Sequence, residues 1–567
     1  MMQIDAGEQN RWYEAVKRYT IALVRIKSVS PGAEETRAAE AVLELLKEDG
    51  LEDAYTAIGL DPLEGDPYQR QNAYAFVRGR SSRTVVLLGH IDTVGTADYG
   101  RLEPFALDPE ALASARAELV EMTPGLKADL ADPIAGRDWM LGRGVTDMKG
   151  GVAANIAVMR HLAEQARQGQ LPLSVVLLAT PDEENESAGV LRAVQFLLDL
   201  RAEYGLEYLG AINTDYTAAR YPGDPHRYAY TGTIGKLLPS FLVVGAESHV
   251  GEPFEGQDAN LLAAELIADL SMNDALCDVV GEQRTPPPVT LHATDLKTHY
   301  DVQLPFMAYF YLNVLTFSTT PGELLERLRQ RAQAALARVL ERIHRAEQRW
   351  SQTPADRPPR AGAVLTDAEL HALVSEKQGA QGVQAALADE WERSLRGPDG
   401  ALRDARERSL ALVRRLWQMS SLAGPAVVIF YAPPYYPHVA KRACALQDAV
   451  EAVAAAHPEE RLRVEEFYPY LSDMSYLRLE PEVDLSGLVA NMPLWQEADQ
   501  PRHSGAYHLP LHAIRALDLP FVNLGPYGRA VHQRGERVLM SYSFGVLPQL
   551  ICEIIAYLAQ VGYDEQR

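Results

Sequence analysis

Apolar residues at steps of three and four mark the first element: Trp12, Val16, Tyr19, Leu23 and Ile26 share one face of residues 9–26, the signature of a helix. The run SVSPGAEETRAAEAVLELLKEDG predicts a second helix. Ser30 is its candidate cap and Pro31 sits in its first turn. Glu34 and Glu35 lie where the helix dipole favours acids, Leu43, Leu45 and Leu46 face inward, and Gly50 ends it. NAYAFVRG (72–79) alternates like a strand. RTVVLLGH (83–90) and LPLSVVLLAT (171–180) are continuous apolar runs, and LEYLGAINTD (206–215) follows in the same series. A helical pattern at 149–167 lies among them. Buried strands flanked by helices predict a parallel-rich α/β sheet with both faces covered.

The pattern then changes. KLLPSFLVVG (236–245) reads as a strand, DANLLAAELIADL (258–270) as a helix, and PVTLHAT and FMAYFYLNVLTF (306–317) as two more strands, followed by a long helix from Pro321 to about Glu347. This β-α-β-β-α order suits a small two-layer α+β domain whose last strand is delayed until AVVIFYAP (426–433). Between them lie the polar run SQTPADRPPRAG and largely helical sequence, taken as an insertion over residues 350–420. After Pro437 the α/β pattern resumes, with a helix at 440–456, strands at 461–467 and 519–525, and a helix at 548–560. The chain therefore divides into a discontinuous domain, 1–233 with 436–567, and an inserted one, 234–435. The 567 residues are ample for both.

Charge narrows the partners. Acids outnumber bases 77 to 54, a formal charge of -23, which argues against a nucleic acid or an anionic membrane surface as partner. The N-terminus lacks a cationic-then-apolar signal pattern and no run of 18 or more apolar residues occurs, so no membrane span and a cytoplasmic location are expected. The three cysteines, Cys277, Cys444 and Cys552, lie far apart and read as small buried side chains rather than a disulfide framework or a Cys-rich zinc site.

Chemistry gathers at the mouths of the predicted strands, where open α/β sheets form their sites. RTVVLLG delivers His90-Ile91-Asp92, SVVLLATP delivers Asp182-Glu183-Glu184, and YLGAINT delivers Asp215. Asp147 precedes the 149–167 helix in GRGVTDMKGG, and His532 follows VNLG in GPYGRAVHQRGE. One His at a strand end is commonly a cap or a core contact. Several imidazoles and carboxylates, each at the mouth of a separate element, repel one another unless cations or protons intervene. Mixed His and carboxylate donors suit a divalent metal, zinc first, with cobalt or manganese as alternatives.

Across nearly its whole length the chain resembles the M20 family of co-catalytic metallopeptidases and acylamino-acid hydrolases, and within it the RocB-type branch of arginine utilization proteins. The strings that carry the family resemblance are GHIDTV (89–94), GRGVTDMKGG (142–151), TPDEENESAG (180–189), NTDY (213–216), GPYGRAVHQRGERV (525–538) and GKLLPSFLVVGAESHVGEPFEGQDAN (235–260). FYAPPYYPH (430–438) and YPYLSDMSYL (468–477) carry the branch. The resemblance implies a phosphorylase/hydrolase-like mixed-sheet catalytic domain with an inserted lid and dimerisation domain. It implies that His90, Asp147 and Asp215 hold one metal and Asp147, Glu184 and His532 the other, with Asp147 bridging. Asp92 would orient His90 through its other ring nitrogen, and Glu183 would be the general acid/base for a metal-bridging hydroxide that attacks an amide. His249 would reach the partner subunit's active site in a homodimer and help hold the oxyanion.

The lid departs from the family. THYDVQLPFMAYFYLNVL (298–315) has neither the Asn nor the Arg with which relatives grip a substrate carboxylate. Arg529, Arg534 and Arg537 flank His532 and are candidate replacements, a structural salt bridge being the alternative. Asp473 in LSDMSY is a candidate for ordering a loop near the site. Gly142, Gly144, Gly150 and Gly151 around Asp147 suit a tight loop rather than a dinucleotide fingerprint. The expected activity is hydrolysis of a peptide or N-acyl amide in a small amino-acid derivative or short peptide, in arginine catabolism on the branch resemblance. The alternatives are an aminopeptidase or side-chain amidase, or a metal-binding assembly protein without catalysis.

Overall fold

The computed structural model describes residues 6–123, 125–130, 135–351, 361–481, 483–496 and 505–564. The polar run at 351–362 lies mostly outside them. The chain forms two units, Met1–Thr233 with Val439–Leu479 and Pro510–Arg567, and Ile234–His438 with Glu480–Leu509.

The strands of the two large sheets are, in chain order, β1 (Ala57–Pro62), β2 (Gln71–Val77), β3 (Arg83–His90), β4 (Ser174–Thr180), β5 (Glu207–Asn213), β6 (Arg227–Thr233), β7 (Gly235–Val244), β8 (Val289–Asp295), β9 (Met307–Thr316), β10 (Ala363–Thr366), β11 (Ala426–Tyr436), β12 (Leu462–Tyr468) and β13 (Phe521–Asn523). The first unit holds an eight-stranded mixed sheet in the order β1-β2-β4-β3-β5-β13-β6-β12. Its β4-β3-β5-β13 centre is parallel, with antiparallel pairings at β1-β2, β2-β4 and β13-β6.

Both faces of that centre are covered. Val85, Leu87, Val175 and Leu177 join one buried cluster with Val16 and Leu23 of the Ala6–Val24 helix and Ile156 and Met159 of the Lys149–Arg167 helix. On β2, Tyr74 and Phe76 meet Phe196 and Tyr204 of the Ala188–Tyr204 helix. Each fully buried Val or Leu contributes about 1.5–3 kcal/mol, which is why these strands are apolar throughout rather than alternating. Among the described residues, Ser541–Val561 is long and apolar enough to cross a membrane by length and composition. In the fold, Leu550, Ile551, Ile554 and Leu558 of that stretch sit in the same buried cluster.

The registers place the site. β3 lies between β4 and β5 and runs parallel to both, with His90 opposite Thr180 and Leu88 opposite Asn213. The three strands therefore end nearly level, and the residues just past each end share one edge. A small three-stranded sheet adds a fourth contributor. Gly528–Arg529 pairs with Arg537–Leu539, which pairs with Trp139–Leu141. His532 lies in the connection of that hairpin, and Asp147 lies six residues beyond Leu141.

The second unit has the sheet order β8-β9-β7-β11-β10. The helices Asp367–Gln378, Ala380–Leu395 and Ala405–Ser420 send Leu370, Val374, Val383, Val413 and Trp417 into one cluster with Leu242, Val244, Val428 and Phe430 of the sheet. The helices Ala259–Leu270 and Pro321–Trp350 pack on each other, and the first of them contacts β7 and β9. The two-layer expectation is thus corrected to three layers: the insertion is the third, and β7 is buried from Leu237 to Val244 because both its faces are covered. Glu480–Leu509 also belongs to this unit, with Asn491 accepting from Tyr431 N through its backbone and from Ala368 N through its side chain.

Three further local expectations change. The second helix begins at Glu34 with no side-chain cap, and Ser30 Oγ instead donates to Asp182. β1, β6 and β10 were not expected. β1 is a half-exposed edge strand, AIGLDP, without clean alternation, and β10 pairs in parallel with β11 at the sheet's edge.

Candidate metal centre

Five chain segments bring six candidate donor residues together. His90 ends β3, Glu183 and Glu184 follow β4, Asp215 follows β5, Asp147 precedes the Lys149–Arg167 helix, and His532 sits in the hairpin loop. The two carboxylate oxygens of Asp147 face different imidazoles: Oδ1 lies 3.0 Å from His90 Nε2 and Oδ2 lies 3.1 Å from His532 Nε2. Glu184 Oε1 lies 2.9 Å from His532 Nε2, and Glu183 Oε2 lies 3.9 Å from His90 Nε2. His90, Asp147 and Asp215 can offer ligand atoms within 4.8 Å of one another, and so can Asp147, Glu184 and His532. Each of these two sets has one imidazole and two carboxylates, and they share Asp147; a third set of His90, Glu183 and Glu184 comes equally close.

Neighbouring groups hold the donor loops. Asp92, fully buried, accepts from Glu183 N through Oδ1 at 3.2 Å and from Glu184 N through Oδ2 at 3.0 Å. The same Oδ1 lies 3.5 Å from His90 Nδ1, and the Asp92 backbone oxygen lies 3.2 Å from it. These contacts favour a proton on Nδ1, which leaves Nε2 free to face Asp147. Glu35 accepts from Asp182 N at 2.8 Å, and Arg70 pairs with both Glu35 and Asp182. Asp182 has φ 75 and His532 φ 61, so both loops use left-handed backbone at non-glycine positions. Asn523 of β13 accepts from Asp215 N and donates to the Asp215 backbone oxygen. Asp473 is buried and accepts from Thr180 Oγ1 at 3.0 Å, at the end of β4. Gly151 belongs to the Lys149–Arg167 helix where it crosses β5's end, and a Cβ there would collide with the Thr214 backbone oxygen.

The electrostatics are those of a site with too much negative charge. Burial, then the nearby Asp147 charge, pushes the Asp215 carboxyl up to about 8. Burial also raises Glu184, with Asp147 adding to it, and raises Glu183 well above the usual carboxylate range, with Glu184 and Asp215 adding to it. Burial disfavours charge on His90 and His532, but hydrogen bonding to Asp147 with Asp92 or Glu184 outweighs it, and His532 rises to about 11. In the absence of metal, protons carry the positive charge that this set of donors requires. Cations would do so better: the donors are nitrogen and oxygen only, they divide into two sets, and one carboxylate presents an oxygen to each. That arrangement fits a pair of divalent ions.

Residues 86–493 match the sequence pattern of Peptidase family M20/M25/M40. The chain belongs to that family. Two Bacillus subtilis M20 relatives match it end to end: the uncharacterized protein YqjN, 32% identical over 95% of both chains, and protein RocB, 30% identical over 96% of this chain and 95% of its own. The aminopeptidase PepT of Bacillus cereus shares the fold at 12% identity, with a TM-score of 0.51 over 96% of this chain and 99% of its own. As an M20 protein this is a metal-dependent amidohydrolase or peptidase.

Three further sequence-derived candidates, Arg529, Arg537 and His249, have the following surroundings. Arg529 Nη1 lies 2.6 Å from Asp129 Oδ1, and Arg537 pairs with the same carboxylate. Both guanidinium groups also lie over the Trp139 ring. His249 belongs to the second unit, where it is exposed and its Nδ1 accepts from Gly251 N. The supporting residues Glu35, Arg70 and Asn523 were not identified from the sequence. Asn523 had a signal, as a polar residue inside the apolar run FVNL.

Proposed function

We propose that this M20 protein is a dinuclear metal hydrolase that cleaves a peptide or N-acyl amide bond in a small amino-acid derivative or short peptide. The observation that carries this reading is Asp147, whose two oxygens address two separate donor sets. Zinc suits these donors best, with cobalt or manganese as substitutes. Full-length similarity to RocB supports a substrate from arginine utilization, in keeping with the branch motifs.

When bound, the metal pair would lower the pKa of a water and polarise the amide carbonyl. Glu183 is placed to move the proton. Its place in a third set with His90 and Glu184, outside the two that share Asp147, supports this role: it is buried and 3.9 Å from His90 Nε2, beside both centres without being counted in either. It takes a proton from the attacking water and returns it to the leaving nitrogen. Asp92 serves this step indirectly by fixing the backbone of Glu183 and the ring of His90. Asp473 supports β4's end beneath the same loop. The pairing with Asp129 favours the salt-bridge alternative for Arg529, so we do not assign it to a substrate carboxylate.

The second unit supports a homodimer. β8 is an edge strand paired only with β9, and Val289 and Leu291 on it are exposed, as are Met272 and Val279 nearby in sequence. An apolar edge with unpaired backbone groups favours pairing with a second copy. In such a dimer His249 would serve the partner's site.

The test is Glu183→Gln, assayed on N-acyl amino acids and dipeptides. Both metals should remain bound while kcat falls by about 100- to 10,000-fold. Near-normal kcat in that variant would remove Glu183 from the mechanism, and a wild-type protein that takes up no zinc, cobalt or manganese would overturn the metal reading itself.

A further inference from the structure

Beneath the Asp147 loop lies a carboxylate that the proposed chemistry does not use. Glu536 is fully buried, four residues after His532. Its Oε1 accepts from three backbone N–H groups of one loop: Gly144 at 2.8 Å, Thr146 at 3.2 Å and Asp147 at 3.4 Å. Its Oε2 accepts from Arg143 Nη1 at 2.8 Å. Its own backbone oxygen accepts from Gly142 N. Arg143 is itself buried, and its remaining nitrogens donate to Gly95 O and Asp98.

The loop is shaped around this anion. Gly144 has φ 81, a left-handed turn in the loop whose N–H groups at 144, 146 and 147 converge on the carboxylate as a concave cradle. Such cradles commonly bind external anions. Here the anion is a side chain from the hairpin that also carries His532. One carboxylate therefore ties the segment supplying Asp147 to the segment supplying His532. Asp147 stands between its two imidazoles with contacts that differ by only a tenth of an ångström, 3.0 and 3.1 Å. A small displacement of its loop would spoil that shared placement.

We propose that Glu536 is a positioning residue for the bridging carboxylate, acting through the Gly144–Asp147 backbone and held in place by Arg143. The proposal rests on the metal-centre reading above and adds to it a residue that touches neither metal nor substrate. Because Asp147 belongs to both donor sets, loss of Glu536 should weaken both ions together. Glu536→Gln keeps the side chain's size and one acceptor for the cradle, but it sets an amide donor against Arg143. A carboxylate that served folding alone would lower stability and leave the metal affinity of the folded protein unchanged.

The experiment uses the full-length protein, stripped of metal with a chelator and titrated with zinc and, separately, cobalt. Asp278→Asn is the control. Asp278 also accepts from a run of backbone N–H groups, at Phe317, Ser318 and Thr319, but in the second unit. In Glu536→Gln, folded by circular dichroism, both metal equivalents should bind about 10- to 100-fold more weakly, and the cobalt absorption bands should shift. The control should match wild type in both. Unchanged affinity and unchanged cobalt bands in Glu536→Gln would overturn the proposal. If that variant does not fold, Arg143→Lys takes its place, with weaker binding and shifted bands expected and wild-type values again overturning it. Wild-type protein without two metal equivalents would instead defeat the underlying metal reading.

Discussion

Replacing Asp92 by Asn separates its roles. The carboxylate presents Oδ1 to Glu183 N and the His90 ring, and Oδ2 to Glu184 N. An amide has only one oxygen. If its nitrogen took the Oδ1 place, it would oppose both Glu183 N–H and the Nδ1 proton that the Asp92 backbone oxygen favours. The amide should therefore keep its oxygen there and turn its nitrogen toward Glu184 N, donor against donor. One half-buried N–H loses its acceptor, at a cost of up to about 1–3 kcal/mol. The damage falls on the backbone of Glu184 more than on His90. In a two-step zinc titration, the set containing Glu184 should bind about 10- to 100-fold more weakly, equivalent to ~1.4–2.7 kcal/mol. The set containing His90 and Asp215 should change less. This differs from Glu536→Gln, where both steps should weaken. Equal weakening of both ions in Asp92→Asn, or none, would refute the reasoning.

Two further outcomes follow from the geometry. Leu291→Lys places a charge on the exposed β8 edge, so the homodimer proposed for the wild type, read by light scattering at micromolar protein, should give way to monomer while the thermal unfolding temperature stays close to wild type; a variant that stays dimeric would place the interface elsewhere, and a monomeric wild type would overturn the dimer reading. Arg529→Ala should leave the ratio of kcat/KM for N-acyl amino acids over their C-terminal amides within about threefold of wild type, because Asp129 already engages that guanidinium; loss of a buried bidentate clamp would be expected to cost about tenfold or more.

The fold was legible where burial was complete. VVLL in β3 and VVLLA in β4 admit little but buried strands, and their parallel pairing follows from the helices between them. The same logic applied to KLLPSFLVV in β7, whose nearly continuous apolar run, interrupted by Ser240 alone after Lys236, already implied two covered faces. The two-layer reading followed element order and passed over that signal, and it left the insertion without a role. β1 was hidden for the opposite reason: an edge strand needs only partial burial, so its composition carries little pattern. The membership of Glu480–Leu509 in the second unit rests on contacts such as Asn491 with Tyr431, which no local pattern records.

The candidate donor residues stood out in the sequence for a chemical reason. Metal donors come from few residue types, and His or carboxylate side chains at the mouths of apolar strands contrast with their surroundings. The groups that shape those mouths have no such contrast. Glu35, Asp92 and Glu536 each satisfy backbone N–H groups of a donor loop, at Asp182, at Glu183 and Glu184, and at Gly144 through Asp147. In sequence each is one acid among 77 Asp and Glu residues. Glu35 was noted for the helix dipole and Asp92, through a family resemblance, for the ring of His90, neither for the backbone it holds, and Glu536 was not noted. A backbone N–H has no residue identity, so its partner cannot be found by matching side-chain types. The same blindness applies to Arg529, whose partner Asp129 is 400 positions away. Its charge beside His532 left a substrate clamp and a structural salt bridge both open, and the fold pairs it with that carboxylate. Donor identity can thus be read from residue type, but loop placement and the availability of nearby charges depend on three-dimensional pairing.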